Sequence, residues 1–115
     1  MKKVFFAGSF NPFTKGHADI VRRLLLVFDH VFIGIGININ KDPDSSKTNA
    51  QALQINNWIV SNHLSEKVEV TVYSGLTAKA ARMAGAVCLA RGVRNSSDFD
   101  YEFNLANANR DAFGI

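Results

Sequence analysis

The sequence predicts one α/β domain, spanning residues 1–115, with a parallel sheet covered by helices on both faces. Short apolar runs alternate with segments of helical periodicity along the chain. Several of these runs are apolar at every position, as expected of parallel strands that are buried on both faces. A turn of small residues that begins at Gly8 joins the first apolar run to the first helical segment. This alternation of strand and helix predicts a doubly wound sheet.

Each predicted helix has apolar residues three or four positions apart, whereas the predicted strands are continuous or alternating apolar runs. Ile20 and Leu24 show the helical spacing in the first helix. Asn49 is a suitable N-cap residue for the second helix. Ser97 predicts the cap of a last helix, since Asp98 and Asp100 would then lie near its positive end. The predicted elements are strand 4–7, helix 18–28, strand 30–37, helix 49–64, strand 68–73, helix 76–84, strand 86–90 and helix 98–113.

The end of the chain predicts an incomplete fold. Gly114 has the position of a helix C-cap, and Ile115 would begin another strand. We therefore expect a C-terminally truncated domain. The alternative is a short domain whose sheet edge is covered by a partner.

Composition excludes several classes of protein. The chain is 47% hydrophobic and 20% charged, which is typical of globular rather than disordered proteins. The net charge of +3 is spread along the chain, so no nucleic-acid-binding tail is expected. The single cysteine, Cys88, excludes an internal disulfide, and its apolar surroundings predict a buried thiol. No apolar stretch is long enough for a membrane helix or a signal peptide, so we expect a cytoplasmic protein.

The turn after the first strand is the best candidate for a phosphate site. Such a turn presents free backbone N–H groups at a helix N-terminus, where anions bind. Gly8 and Gly16 let the backbone approach a ligand, and the hydroxyl of Ser9 can donate to a phosphate oxygen. His17 lies in the first turn of the helix, where it would face the phosphate and act during chemistry on a nucleotide. The alternative for His17 is a purely structural role in capping the helix.

Two segments, one near each end of the chain, resemble motifs of the nucleotidyltransferase superfamily. Thr14-Lys15-Gly16-His17 is similar to the T-x-G-H form of its H-x-G-H signature, and Gly8-Ser9-Phe10-Asn11-Pro12 is similar to G-[ST]-F-D-P. Arg91-Gly92-Val93-Arg94, followed by Asp98-Phe99-Asp100-Tyr101-Glu102, resembles a block of the bacterial phosphopantetheine adenylyltransferases. The resemblance implies a Rossmann-like sheet of the nucleotidyltransferase type.

The chain departs from the family pattern at several places. Asn11 stands where the family has aspartate, and Ala7 stands where proline is usual. The segment 38–49 lacks the usual aromatic residue and the Glu-Glu-Arg start of the next helix. The C-terminal I-S-S-[ST] motif of the family, which helps to hold the ATP phosphates, is not in the sequence.

The resemblance implies transfer of an adenylyl group from ATP to 4′-phosphopantetheine, which gives dephospho-coenzyme A and pyrophosphate. Residues implied to bind ATP are Ser9, Phe10, His17, Gly92, Val93, Arg94 and Glu102. Residues implied to bind the acceptor are Ser9, Lys41, Thr77 and Arg91, and those with a catalytic role are His17, Lys41 and Arg91. These residues follow four different predicted strands, at the sheet edge where ligands of open α/β sheets bind.

Besides His17, four of these residues have alternatives that stay open. Lys47 competes with Lys41 for the acceptor phosphate, and Thr77 has an alternative as a helix N-cap. Glu102, in the predicted last helix, has an alternative as a solvated acid, and Arg91 has one as a partner of a nearby aspartate.

The resemblance also implies cofactors and partners. No protein metal ligands are expected, and Mg²⁺ would be bound mainly through the ATP phosphates. A hexamer is implied, with no nucleic-acid or membrane partner. Two other functions remain alternatives: a different nucleotidyltransferase, such as a cytidylyltransferase, and a non-catalytic module that binds a nucleotide or coenzyme A.

Overall fold

Strands and helices alternate along most of the described chain, which then ends on a pair of strands. The computed structural model describes residues 2–10, 12–37, 46–95 and 98–104, and along 92–95 and 98–104 it describes the backbone. The elements are β1 (Lys3–Gly8), α1 (Lys15–Leu24), β2 (His30–Gly36), α2 (Ser46–Ser61), β3 (Val68–Tyr73), α3 (Thr77–Met83), β4 (Cys88–Asn95) and β5 (Asp98–Asn104).

The strands form one sheet in the order β3-β2-β1-β4-β5. The first four strands in this order are parallel, and β5 pairs antiparallel with β4. The predicted fold class, an α/β domain with a parallel sheet between helices, is therefore confirmed. After β3 the chain crosses β2 and β1 to form β4, so the direction of winding reverses between β1 and β4. Open α/β sheets bind their ligands at such a reversal.

The predicted helix over residues 98–113 is wrong where the structure describes it. Asp98–Asn104 is the strand β5, and residues 105–115 lie outside the described residues, as do Ser97, Gly114 and Ile115. The aromatic residues Phe99, Tyr101 and Phe103 alternate with acidic ones, which is the period of a strand. The cap-like Ser97-Asp98 pair pointed to a helix, but the alternation of the side chains agrees with the strand.

One face of the sheet, here called the α1–α2 face, is covered by both of those helices. Its core includes side chains from all four parallel strands, which pack against Ile20, Val21 and Leu24 of α1 and against Ile55 and Ile59 of α2. All five of these helix side chains are almost completely buried. This packing fixes α1, and with it the turn that precedes the helix.

Among the described residues, the short helix α3 alone covers the opposite face, here called the α3 face. Its core is small, and Phe5 lies at its centre with Phe32 and Ala81. Gly34 of β2 makes room for Phe5, because a Cβ atom on this glycine would lie 2.2 Å from Cζ of the ring. Among the described residues, no helix has the length and apolarity needed to cross a membrane.

Cys88 begins β4 and is buried, as the sequence predicts. Burial raises the pKa of its thiol to about 11, because the thiolate would lose its hydration. The thiol is therefore protonated at neutral pH and does not serve as a nucleophile.

Candidate active site

The candidate site lies at the carboxyl end of β1 and at the point of β4 where its pairing with β1 ends. Ala7 of β1 is in register with Arg91 of β4, so the turn after Gly8 and the exposed side chain of Arg91 leave the sheet at the same edge. Ser9, the first residue after β1, is exposed there. Two segments that are far apart in sequence are thus neighbours at the reversal of the sheet, and the fold brings together the two motifs found in the sequence.

A reciprocal pair of hydrogen bonds joins Thr14 to His17 at the start of α1. Thr14 is the N-cap, and its Oγ1 accepts from the backbone N–H of His17 at 3.3 Å. The backbone N–H of Thr14 donates to Nδ1 of His17 at 2.9 Å. This is the capping-box arrangement, with histidine in place of the usual Glu or Gln. The side chain of His17 therefore caps the helix, as its structural alternative expects, and this does not decide whether it also acts on a ligand.

The capping bond also defines where the proton of His17 lies. A nitrogen that accepts a hydrogen bond uses its lone pair, so Nδ1 is unprotonated in this arrangement. The proton of the neutral ring is then on Nε2, the nitrogen on the other side of the ring. Capping and chemistry are compatible, because the helix uses Nδ1 and the proton of the ring is on Nε2.

Three phenylalanine rings surround the half-buried imidazole of His17. Phe10 meets it edge to face with 5.0 Å between the ring centroids. The distance between ring centroids is 5.6 Å from His17 to Phe13 and 6.4 Å from His17 to Phe6. The imidazole is therefore positioned by packing as well as by the bond to Thr14.

Thr77, which the sequence places with the acceptor-binding residues, lies at the start of α3. Its hydroxyl is 2.9 Å from the hydroxyl of Tyr73, within hydrogen-bond distance. The alternative that Thr77 is a helix N-cap is wrong, because Leu76 occupies that position and makes no side-chain capping bond. Beside these residues, between β3 and α3, lies an open cavity of about 620 Å³.

The other predicted residues are placed only in part. Lys41 and Asn11 lie outside the described residues, and Lys47 is exposed in the first turn of α2. Gly92, Val93 and Arg94 lie in β4, and Glu102 lies in β5, in register with Arg91. The helical position expected for Glu102 is therefore wrong, although the β4–β5 pairing still joins its backbone to that of the Arg91 segment.

Three contacts around the site were not predicted. Gln51 of α2 donates from Nε2 to the carbonyl oxygen of Phe10 at 3.1 Å, and Trp58 of α2 packs against Phe13. Tyr73 holds the hydroxyl of Thr77. The T-x-x-H spacing could have suggested the Thr14–His17 capping box, but nothing in the local sequence identifies these three contacts. In the part of the chain that the structure describes, no three His, Cys, Asp or Glu side chains lie close enough to hold a metal ion.

The chain is similar to known proteins over almost its whole length. A protein-family profile described as cytidylyltransferase-like matches residues 5–114. The phosphopantetheine adenylyltransferases of two Porphyromonas gingivalis strains, ATCC 33277 and W83, are each 48% identical to the chain over 117 aligned residues. The match covers 100% of this chain and 74% of each relative. The phosphopantetheine adenylyltransferase of Cytophaga hutchinsonii is 43% identical over 114 residues, which cover 95% of this chain and 70% of that protein.

Proposed function

The chain belongs to the phosphopantetheine adenylyltransferase family, and we propose that it transfers the adenylyl group of ATP to 4′-phosphopantetheine. An oxygen of the acceptor phosphate attacks the α-phosphorus of ATP. The bond between the α-phosphorus and the bridging oxygen breaks, and pyrophosphate leaves. The products are dephospho-coenzyme A and pyrophosphate. The acceptor phosphate is already ionised at neutral pH, so the reaction needs no strong general base and no covalent enzyme intermediate.

One observation supports this chemistry most directly: in the capping box Nδ1 of His17 accepts a hydrogen bond, which puts the proton of the ring on Nε2. Negative charge on the α-phosphoryl oxygens is redistributed as the new bond forms, and a fixed donor stabilises that state. Because the ring is held by Thr14, Phe10 and Phe13, it needs little rearrangement during the reaction. We assign His17 this role.

The roles of the other site residues are part of the proposal. Ser9 and the backbone of Phe10 would bind phosphate oxygens at the turn. Arg91, exposed at the same edge, would form paired hydrogen bonds to the acceptor phosphate, as its guanidinium geometry favours. Thr77, with its hydroxyl oriented by Tyr73, would contact the pantetheine arm.

The remaining assignments depend on the sequence resemblance alone. Lys41 is assigned to the acceptor phosphate, and Lys47 remains the alternative. The ATP-binding group is completed by Gly92, Val93, Arg94 and Glu102.

Magnesium is proposed to arrive with ATP as the MgATP substrate, since its affinity for phosphate oxygens needs few protein ligands. Self-association into a hexamer, with no nucleic-acid or membrane partner, remains a proposal that rests on the family resemblance.

The experiment is a pyrophosphate-release assay with 4′-phosphopantetheine and either ATP or CTP, run on the wild type and on His17→Ala. We expect ATP to be preferred and His17→Ala to lower kcat by about 10²–10³-fold, as for other fixed donors to a developing anion. ATP affinity, measured by calorimetry, should change little because the interaction strengthens in the transition state. His63→Asn is the matched control, since His63 is exposed after α2 and away from the turn.

The alternatives predict different results. A preference for CTP would identify a cytidylyltransferase. Binding of ATP without release of pyrophosphate would identify a non-catalytic module. If His17→Ala abolished ATP binding while the bound complex still turned over, the transition-state role of His17 would be wrong.

A further inference from the structure

The backbone of Phe10 has a conformation that phenylalanine rarely adopts. Its φ angle is +48°, in the left-handed region, and its side chain is only 3% exposed. A bulky residue in this region is an outlier, and it persists only when the surroundings hold it there. Such strain is concentrated at functional sites, and Phe10 lies in the turn that carries the proposed phosphate site.

Gln51 holds this residue from outside the turn. Its Nε2 donates to the carbonyl oxygen of Phe10 at 3.1 Å, from a helix 41 residues further along the chain. The bond is partly buried, so water competes with it less than at an exposed site. It fixes the orientation of the Phe10 carbonyl and therefore restricts rotation of the strained backbone.

Phe10 connects Gln51 to the imidazole of His17. The Phe10 ring packs edge to face on that imidazole, and it also packs on Phe6 with 5.1 Å between the ring centroids. A Cβ atom on Gly8 would lie 3.1 Å from the Phe10 ring, so the strand end also confines it. A change in the Phe10 backbone would therefore move the aromatic wall against which His17 is placed.

A second contact keeps α2 in place independently of Gln51. Trp58 lies two turns further along α2 and packs on Phe13, with 5.1 Å between the ring centroids. The guanidinium carbon of Arg22 lies 5.5 Å from the centre of the Trp58 ring. Removing the amide of Gln51 would therefore remove one hydrogen bond and leave the helix docked on α1 and on the turn.

We propose that Gln51 is a positioning residue for adenylyl transfer, which holds the Phe10 carbonyl and thereby the ring wall that orients His17. The inference rests on the proposed function for its catalytic consequence. The positioning itself is a property of the folded chain and can be measured without substrate. Because Gln51 never touches the reacting atoms, its loss should reduce turnover more than substrate binding.

The test uses Gln51→Met, which keeps the length of the side chain and removes the donor. Gln54→Met is the matched control, since Gln54 is an exposed glutamine on the same helix. We expect Gln51→Met to lower kcat about tenfold, with the KM for 4′-phosphopantetheine within twofold of wild type, since small misplacements of a catalytic group are costly. Gln51→Lys, which restores an N–H donor of similar reach, should recover part of the lost turnover.

A second measurement follows His17 directly by NMR. The imidazole ¹H and ¹⁵N resonances of His17 depend on the positions of the surrounding rings, so they should shift in Gln51→Met and stay unchanged in Gln54→Met. Equal kcat values and equal His17 resonances in the two variants would overturn the proposal. So would a loss of thermal stability in Gln51→Met with no change at His17, since this would show a structural role only. If the wild type itself released no pyrophosphate, the proposed function would fail, and the NMR comparison would still decide the role of Gln51.

Discussion

The two faces of the sheet differ in how completely they are covered. Among the described residues, the main core cluster on the α1–α2 face contains fifteen buried side chains, and the cluster on the α3 face contains six. Two helices cover the first face, whereas the seven-residue α3 covers part of the second and leaves the cavity beside β3 open. Leu76 and Met83 line this cavity and are largely exposed.

The two faces correspond to two different requirements of the proposed reaction: accurate placement of a catalytic group and binding of a flexible acceptor. In the proposed function His17 must be held accurately, and its ring packs on Phe10, which belongs to the core of the α1–α2 face. Thr77, assigned to the longer and more flexible acceptor, lies at the start of the helix that covers the other face. Dense packing transmits small displacements, so the first face can position a catalytic group more accurately than the second.

The largest expected difference between the faces is in stability. Leu24→Ala removes a fully buried side chain of α1 and should lower the free energy of unfolding by about 2–5 kcal/mol. Met83→Ala removes a side chain of α3 that is 80% exposed and should change it by no more than about 0.5 kcal/mol. Urea denaturation of both variants measures the contrast. Similar losses would show that Met83 is covered in solution and that the α3 face is not open.

A smaller effect is expected from Gly34→Ala, which tests the packing of the α3 face itself. The new methyl group would overlap the ring of Phe5, and overpacking of this kind costs about 1–3 kcal/mol. Because Phe5 lines the open cavity, its ring has space to move, and we expect the lower half of that range.

Gly36→Ala is the control for Gly34→Ala, since it lies on the same strand. Among the described residues, the atom nearest to its new methyl group would be the Tyr73 hydroxyl oxygen, at 3.3 Å. The two variants are compared by thermal unfolding. A loss for Gly34→Ala well above 3 kcal/mol would mean that the α3 face is packed as tightly as the other face.

The smallest loss in the free energy of unfolding is expected for a substitution of Thr14, at the start of α1. Thr14→Ala removes the hydroxyl that accepts from His17, and loss of an N-cap costs about 1 kcal/mol. Thr14→Ser keeps the hydroxyl and should stay within a few tenths of a kcal/mol of wild type. Chemical denaturation distinguishes the two variants. If serine were as damaging as alanine, the methyl group of Thr14 rather than its capping bond would support the turn.

Local patterns predicted much of the fold and part of the site. The order of the elements through β4 follows from apolar runs and helical spacing, and the burial of Cys88 follows from its apolar strand. The strand β5 was missed because Ser97 and Asp98 give a helix-cap signal, while the alternation that identifies the strand extends over several later residues. Helix α1 starts at Lys15, three residues before its predicted start, because Thr14 caps it.

The contacts between distant segments could not be predicted from the same patterns. The bond from Gln51 to Phe10 depends on how α2 docks on the sheet. The sequence does not indicate which polar residue on that turn of the helix makes such a bond. The cavity beside β3 depends on the short length of α3, which the sequence predicts only approximately. Both features result from tertiary packing rather than from local preference.

The strand order has a consequence for how the protein forms during synthesis. Strands β1, β2 and β3 are spatial neighbours in the order in which they leave the ribosome, and β4 is added later, to the free edge of β1. The phosphate turn and its contact with Gln51 can therefore form before Arg91 has been translated. Until then β1 exposes an apolar edge in the middle of the final sheet, and such edges pair readily with other chains. The interval between the emergence of β3 and that of β4 is the period in which a nascent chain is most open to aggregation.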